Sequence, residues 1–184
     1  MFSSLVLTAP LALAALASAC KPQFPEGVYS ILYSDDPSYG WRYKWPGPGQ
    51  VSPAVELVQI QDFNAPNTTW YIWPPNGTSP DWTVSTAQFD RYTTCVVAPN
   101  AQLPAPMTND RCHPADSEYA VDKAVFSIDC DTCLEDTAGG HGCVLTMPYI
   151  GAVCPSYPPT NTDLVTLTKC GFSTSAKWDI QLAP

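Results

Sequence analysis

Hydrophobic and polar positions alternate in short runs along this chain, and three of the runs are near copies: Thr69-Trp70-Tyr71-Ile72-Trp73, Val125-Phe126-Ser127-Ile128-Asp129 and Lys177-Trp178-Asp179-Ile180-Gln181. Each reads aromatic, any residue, isoleucine, so in an extended strand the aromatic and the isoleucine share one face. The copies recur after 56 and 52 residues. One unit of that length cannot bury its own apolar face, so three of them predict a closed, pseudo-symmetric array.

The remaining runs supply further strands for each unit. Val28 to Tyr33, Trp82 to Thr86 and Cys143 to Met147 are expected to open the three units. Second strands are predicted at Trp41 to Trp45, Tyr92 to Val97 and Gly151 to Cys154. Ala54 to Ile60 and Asp163 to Thr168 alternate as half-buried third strands should, while Glu118 to Val121 is the third-strand candidate in the second unit. Twenty prolines and ten glycines interrupt every run before a long helix could form. The expected class is all-β, with closure removing the strand edges that would otherwise invite aggregation.

Three units of four strands resemble the β-trefoil superfamily, a barrel capped by hairpins, over residues 26 to 184. Gly27-Val28-Tyr29-Ser30-Ile31 is similar to the opening of fungal trefoils, both ricin-B-like lectins and mushroom protease inhibitors. Leu167-Thr168-Lys169-Cys170 followed by Trp178 resembles the lectin pattern of a cysteine followed by Q-x-W. The glutamine of that pattern is replaced by Thr68, Ala124 and Ala176 in the three units. The resemblance implies a binding module, and by position it implies sugar-binding aspartates at Asp35 or Asp36 in the first unit and at Asp90 in the second. The third unit has Pro148-Tyr149 there and no acid.

Residues 1 to 19 read as a secretory leader, with apolar Leu5 to Leu7 and Leu11 to Leu16 ahead of Ala17-Ser18-Ala19. The run is too short for a membrane span and contains Pro10. A single exported domain from 20 to 184 is expected. Its eight cysteines then imply four disulfides, because the compartment outside the cell is oxidising. The repeat pairs Cys95 with Cys112 and Cys154 with Cys170, and we expect Cys133 with Cys143 and Cys20 with Cys130. Asn67-Thr68-Thr69 and Asn76-Gly77-Thr78 are glycosylation acceptors.

Eight basic against 17 acidic residues leave a net charge of -9. Nucleic acid and anionic membranes are not expected as partners, since both demand clustered lysine and arginine. Eight of the acids fall between Asp110 and Asp136, a stretch read as a solvated loop face. The most distinctive local feature is Tyr39, Trp41, Tyr43 and Trp45, which alternate with Gly40, Arg42 and Lys44 and so project from one face of a strand. Such rings could stack on saccharide C-H faces while Asp35, Asp36 and Arg42 bond hydroxyls, or they could fill the barrel.

Cys130, Cys133, His141 and Cys143 have zinc-like spacing, but export favours bridges. Cys133 and Leu134 stand where a calcium loop needs an oxygen ligand and a glycine. No metal and no cofactor are expected. His113 and His141 lie in no nucleophile motif, so no catalytic residues are assigned. The leading expectation is a secreted, monomeric, non-catalytic carbohydrate-binding module, its partner a glycan or an extracellular protein. The alternatives are a trefoil protease inhibitor, presenting stiff loops such as Ala98 to Pro106 or Pro155 to Pro159, and an interaction or effector protein with no sugar affinity.

Overall fold

The computed structural model describes residues 19–45, 53–75, 80–98, 103–112, 124–134, 138–148, 151–156, 163–171 and 176–184. The leader, apart from Ala19, lies outside them, as do Asn76, Glu118 to Val121 and the loop segments 99–102 and 157–162. No α-helix occurs among the described residues. The first unit holds β1 (Val28–Tyr33), β2 (Asp36–Lys44), β3 (Ala54–Gln59) and β4 (Trp70–Trp73). The second holds β5 (Trp82–Thr86), β6 (Thr94–Val97), β7 (Ala105–Pro106), β8 (Thr108–Arg111) and β9 (Val125–Asp129). The third holds β10 (Thr132–Cys133), β11 (Gly139–Thr146), β12 (Val153–Ser156), β13 (Thr166–Lys169) and β14 (Trp178–Leu182).

Six strands close a ring by antiparallel pairing: β1 with β4, β4 with β5, β5 with β9, β9 with β11, β11 with β14, and β14 back to β1. The repeated aromatics Trp70, Phe126 and Trp178 and the isoleucines Ile72, Ile128 and Ile180 are all buried inside it. Ile31, Val84 and Leu145 from the opening strands complete the core at equivalent positions. Each large aromatic removes about 150 to 250 Å² from water. At roughly 25 cal/mol per Å² that is on the order of 4 to 6 kcal/mol of transfer free energy per ring, before the entropy of ordering is set against it.

The hairpins β2–β3, β6–β8 and β12–β13 cover one end of the ring. They meet on the pseudo-threefold axis in a cycle of backbone bonds. Val55 N-H donates to Met107 C=O (3.1 Å), Met107 N-H to Val165 C=O (2.8 Å), and Val165 N-H to Val55 C=O (2.9 Å). All three residues are buried, so these peptide groups have no recourse to water. A six-strand ring and three hairpins joined in this way are a β-trefoil.

The hairpins are equivalent in detail. Ile60, Cys112 and Cys170 donate their N-H groups to Ser38, Thr93 and Ala152 in turn. That alignment places Gly40, Cys95 and Cys154 at one position. The second and third units are stapled there by Cys95–Cys112 and Cys154–Cys170. The first unit has Gly40 facing Ile60 instead. A Cβ at Gly40 would lie 2.9 Å from the Ile31 carbonyl oxygen and 3.1 Å from Ile60, so a bridge cannot occupy that corner. The Leu32 and Ile60 side chains fill that corner, while the next residue, Trp41, points to the opposite, inner face, where its ring packs edge to face on Trp70 (5.9 Å) and Trp178 (5.2 Å). Trp70 Nε1 also donates to the Trp41 carbonyl at 3.3 Å.

Two expectations are corrected. The return strand of the second hairpin is β8, in Thr108–Arg111, and no alternating apolar pattern marks it, because Asn109 takes the buried place held by Leu57 and Leu167 in the other units. The last four cysteines pair as Cys20–Cys133 and Cys130–Cys143, not as Cys20–Cys130 and Cys133–Cys143. Cys20 and Cys130 do lie opposite each other, exchanging N-H···O=C bonds of 2.8 and 2.9 Å. The Cys130 side chain is turned into the core towards buried Cys143, whereas Cys20 and Cys133 are both half-buried and meet at the rim.

Peptide mapping of the non-reduced protein is expected to recover Cys20 linked to Cys133 and Cys130 linked to Cys143, and recovery of a Cys133–Cys143 peptide would contradict it. Trp41→Ala, which opens a void between Trp70 and Trp178, is expected to cost about 3 to 5 kcal/mol in denaturant titration. A loss under about 1 kcal/mol would show that this ring is not packed as described.

Candidate functional site

The four-ring platform read from the sequence divides between core and surface. The rings of β2 do share a face, but it is the inner face of the hairpin: Trp41 and Tyr43 are buried. Tyr39, in the outer half of β2, and Trp45, one residue past its end, are 37% and 64% exposed. Trp41 therefore cannot stack on a ligand. Burial also pushes the Tyr43 phenol above its ordinary range. Where β2 leaves the core, Tyr43 meets Phe89 edge to face at 5.6 Å, and Trp45 lies 5.9 Å from Phe89.

Asp35 and Asp36 sit in the exposed β1–β2 turn, already engaged locally. Tyr33 Oη donates to Asp35 Oδ2 at 2.8 Å, while Asp36 Oδ1 accepts from Ser38 N (3.1 Å) and Ser38 Oγ (2.6 Å). Beside this turn lies Asp179 on β14. It accepts from Ser34 Oγ (2.6 Å) and Gly142 N (2.9 Å), and His141 Nδ1 is 3.1 Å from its other oxygen. Hydroxyl and imidazole share one carboxylate here rather than bonding each other, so the group is not a nucleophile-base pair. Burial raises the Asp179 carboxyl, but the bonds from Ser34, Gly142 and His141 together outweigh it and hold the group below its ordinary value near 3.8. Glu56, buried under the first hairpin between Arg42 and Lys44, behaves alike. Burial raises it, and the two cations bring it below its ordinary 4.5.

A richer surface lies at residues 87–93, the connection between β5 and β6. Its start is pinned by Ala87 N donating to Thr69 O (2.9 Å), and its turn by Thr93 N to Asp90 O (2.9 Å). Ser85 Oγ donates to Arg91 O (2.6 Å) and accepts from Trp73 Nε1 (3.2 Å), which ties the connection to β4. Tyr92, 62% exposed, stands edge to face on half-buried Trp73 at 4.9 Å. The Arg91 guanidinium lies 5.8 Å from the ring centres of both Tyr71 and Tyr92, with Nη1 3.3 Å from Glu26 Oε1. Asp90 is exposed on the same connection. Three rings, Tyr71, Trp73 and Tyr92, thus gather around the Arg91–Glu26 pair with exposed Asp90 on the same turn, a set able to stack on an apolar face and bond hydroxyls around it.

Of this group only Asp90 was singled out in the sequence. The missed signal is in the repeat itself. The outward positions of the three copies are Tyr71 and Trp73, then Ser127 and Asp129, then Asp179 and Gln181. Aromatics on a solvent-facing side in one copy alone mark a surface with another role. Cys130, Cys133 and Cys143, the zinc-like set, are all in disulfides, and no metal-binding group of three or more His, Cys, Asp or Glu occurs among the described residues.

No protein-family profile and no curated protein sequence matches the chain. Among solved structures it is similar in fold to a mosquitocidal holotoxin (12% identity, TM-score 0.63, 86% of this chain) and to a Polyporus squamosus lectin bound to a sialylated trisaccharide epitope (17%, 0.56, 85%). It is likewise similar to the designed 3-fold symmetric protein ThreeFoil (10%, 0.57, 85%). The chain spans 17% of the holotoxin, 49% of the lectin and 99% of ThreeFoil. At these identities the likeness shows the fold alone.

Asp179 and Glu56 have depressed folded-state values, so the stability they add is complete above about pH 4.5 and is lost as pH falls through those values. Denaturant midpoints are expected to hold from pH 7 to 5 and then to drop, with Asp179→Asn and Glu56→Gln each flattening the drop. Equal slopes in wild type and both variants would contradict the assignment.

Proposed function

We propose that this protein is an exported, non-catalytic carbohydrate-binding module that holds a saccharide against Trp73 and Tyr92. Arg91, Asp90 and Glu26 bond the hydroxyls around the stacked ring. The observation that carries the reading is the 62% exposure of Tyr92 on a connection otherwise tied down by backbone and side-chain bonds. A large ring left in water at a rigid place is prepared for a ligand, because little ordering remains to oppose binding. Four disulfides support an oxidising destination. The fold also supports the reading, since a lectin bound to a sialylated trisaccharide shares it. A second, shallower site is proposed at Asp35 and Tyr39, both exposed at the β1–β2 turn.

The protease-inhibitor alternative rests on loops whose segments 99–102 and 157–159 lie outside the described residues. Nothing in the described residues favours it.

The test is a glycan array with the mature protein, followed by titration of the retained sugar. Tyr92→Ala and Trp73→Ala are expected to weaken binding about tenfold, equivalent to roughly 1.4 kcal/mol. Trp41→Ala is expected to lower stability without changing affinity at temperatures where it stays folded. An array on which no glycan is retained, or a Tyr92→Ala variant with unchanged affinity, sinks the proposal.

A further inference from the structure

Trp45, 64% exposed, packs on half-buried Phe89 in an aromatic patch whose ring contacts are separate from those of the proposed saccharide site, and the fold brings one potential occupant to it. Asn67, the acceptor of the sequon Asn67-Thr68-Thr69, sits in the connection from β3 to β4. That connection is firmly built. Asp62 Oδ1 accepts from Asn64 N at 2.9 Å, Thr68 N donates to Ala65 O at 2.8 Å, and Thr68 Oγ1 bonds Asp62 O (3.0 Å) and Ala65 O (2.9 Å). The main chain on either side of the acceptor is then claimed by the two elements that carry the patch. Asn67 O accepts from Tyr43 N at 2.7 Å, at the end of β2 that leads into Trp45. Thr69 O accepts from Ala87 N at 2.9 Å, at the start of the connection that carries Phe89. The Asn67 carboxamide is half-buried and makes no hydrogen bond among the described residues.

We propose that Asn67 is N-glycosylated and that its first N-acetylglucosamine lies on the Trp45 and Phe89 rings, so that the chain covers its own exposed aromatic patch. At about 3.3 Å of rise per residue, the Trp45 backbone lies roughly 7 Å beyond the Tyr43 amide that Asn67 bonds. That is within reach of an asparagine side chain carrying one pyranose. The sugar's C-H face and acetyl methyl match the apolar rings, of which Trp45 otherwise remains 64% exposed to water. Attachment follows ordinary transfer from a lipid diphosphate-linked oligosaccharide. The Asn67 amide nitrogen bonds sugar C1 and loses a proton, the C1–O bond breaks, and the lipid diphosphate leaves. The glycan thereby reserves Trp45 and Phe89 and leaves the Trp73–Tyr92 surface free. This inference rests on the export part of the proposed function and not on its saccharide-binding part.

The test uses full-length protein secreted from a eukaryotic host, on an Asn76→Gln background so that a single sequon is read. Glycopeptide mass analysis is expected to find Asn67 occupied; an empty Asn67 overturns the proposal. Thermal melts are then compared for Asn67 trimmed enzymatically to one sugar and for Asn67→Gln, each with Trp45 or Trp45→Ala. The single sugar is expected to raise Tm by about 2 to 4 °C with Trp45 present and not at all with Trp45→Ala. The same increment in both backgrounds overturns the stacking. On the glycan array, Trp45→Ala is expected to retain any binding that Tyr92→Ala loses, and loss with Trp45→Ala would assign the patch to the ligand instead. A wild type that binds no array glycan would sink the saccharide-binding reading alone, because the melts report the internal sugar independently.

Discussion

Three peptide groups, those of Val55, Met107 and Val165, hold the architecture at its axis, each donating to the next and accepting from the last. A buried N-H or C=O left unpaired costs about 1 to 3 kcal/mol, more than the roughly 1 kcal/mol net gain of making the bond. Two hairpins without the third would leave one donor and one acceptor orphaned among apolar side chains. The cap therefore forms with all three units or carries a penalty. Because the ring is built of main chain, it places no demand on side-chain identity beyond burial, and the units are free to diverge around it.

Their divergence follows that freedom. Where the second and third units close their hairpins with a disulfide, the first brings Gly40 against the Ile31 carbonyl and fills the centre with Trp41. Equivalent to Trp41, next to the paired cysteines, are Val96 and Pro155, both buried and smaller. One indole thus packs where its counterparts are modest, and it contacts two of the three repeat aromatics. In the second unit Asn109 is buried with neither side-chain atom hydrogen-bonded among the described residues, at the place where the others have leucine. A polar residue kept there carries a desolvation cost that leucine at the same place does not.

The asymmetry continues onto the surface. Outward positions on the repeated strands β4, β9 and β14 are aromatic in the first unit and polar in the other two, and the connection at residues 87–93 sets Phe89 against Tyr43 and sets Arg91 and Tyr92 against Tyr71 and Trp73. A symmetric scaffold thus carries an asymmetric face.

The trefoil was legible in the chain because its signal is a period. Trp70, Phe126 and Trp178 recur with their isoleucines whatever lies between them, and closure follows from the inability of one unit to bury that face. Strand β8 was not legible, since Asn109 breaks the apolar alternation while the backbone pairing it needs is supplied by β6. Alternation also showed correctly that Tyr39, Trp41, Tyr43 and Trp45 share a face. A period of two states which side chains go together and is silent on whether that side meets water or protein. Only the meeting of Trp41 with Trp70 and Trp178, residues far off in the chain, decided it. Cysteine pairing has the same character. Sequence spacing serves where a hairpin brings its own ends together, as at Cys95–Cys112, and fails where Cys20 reaches across 113 residues, because only the direction of each Cβ in the folded chain selects the partner.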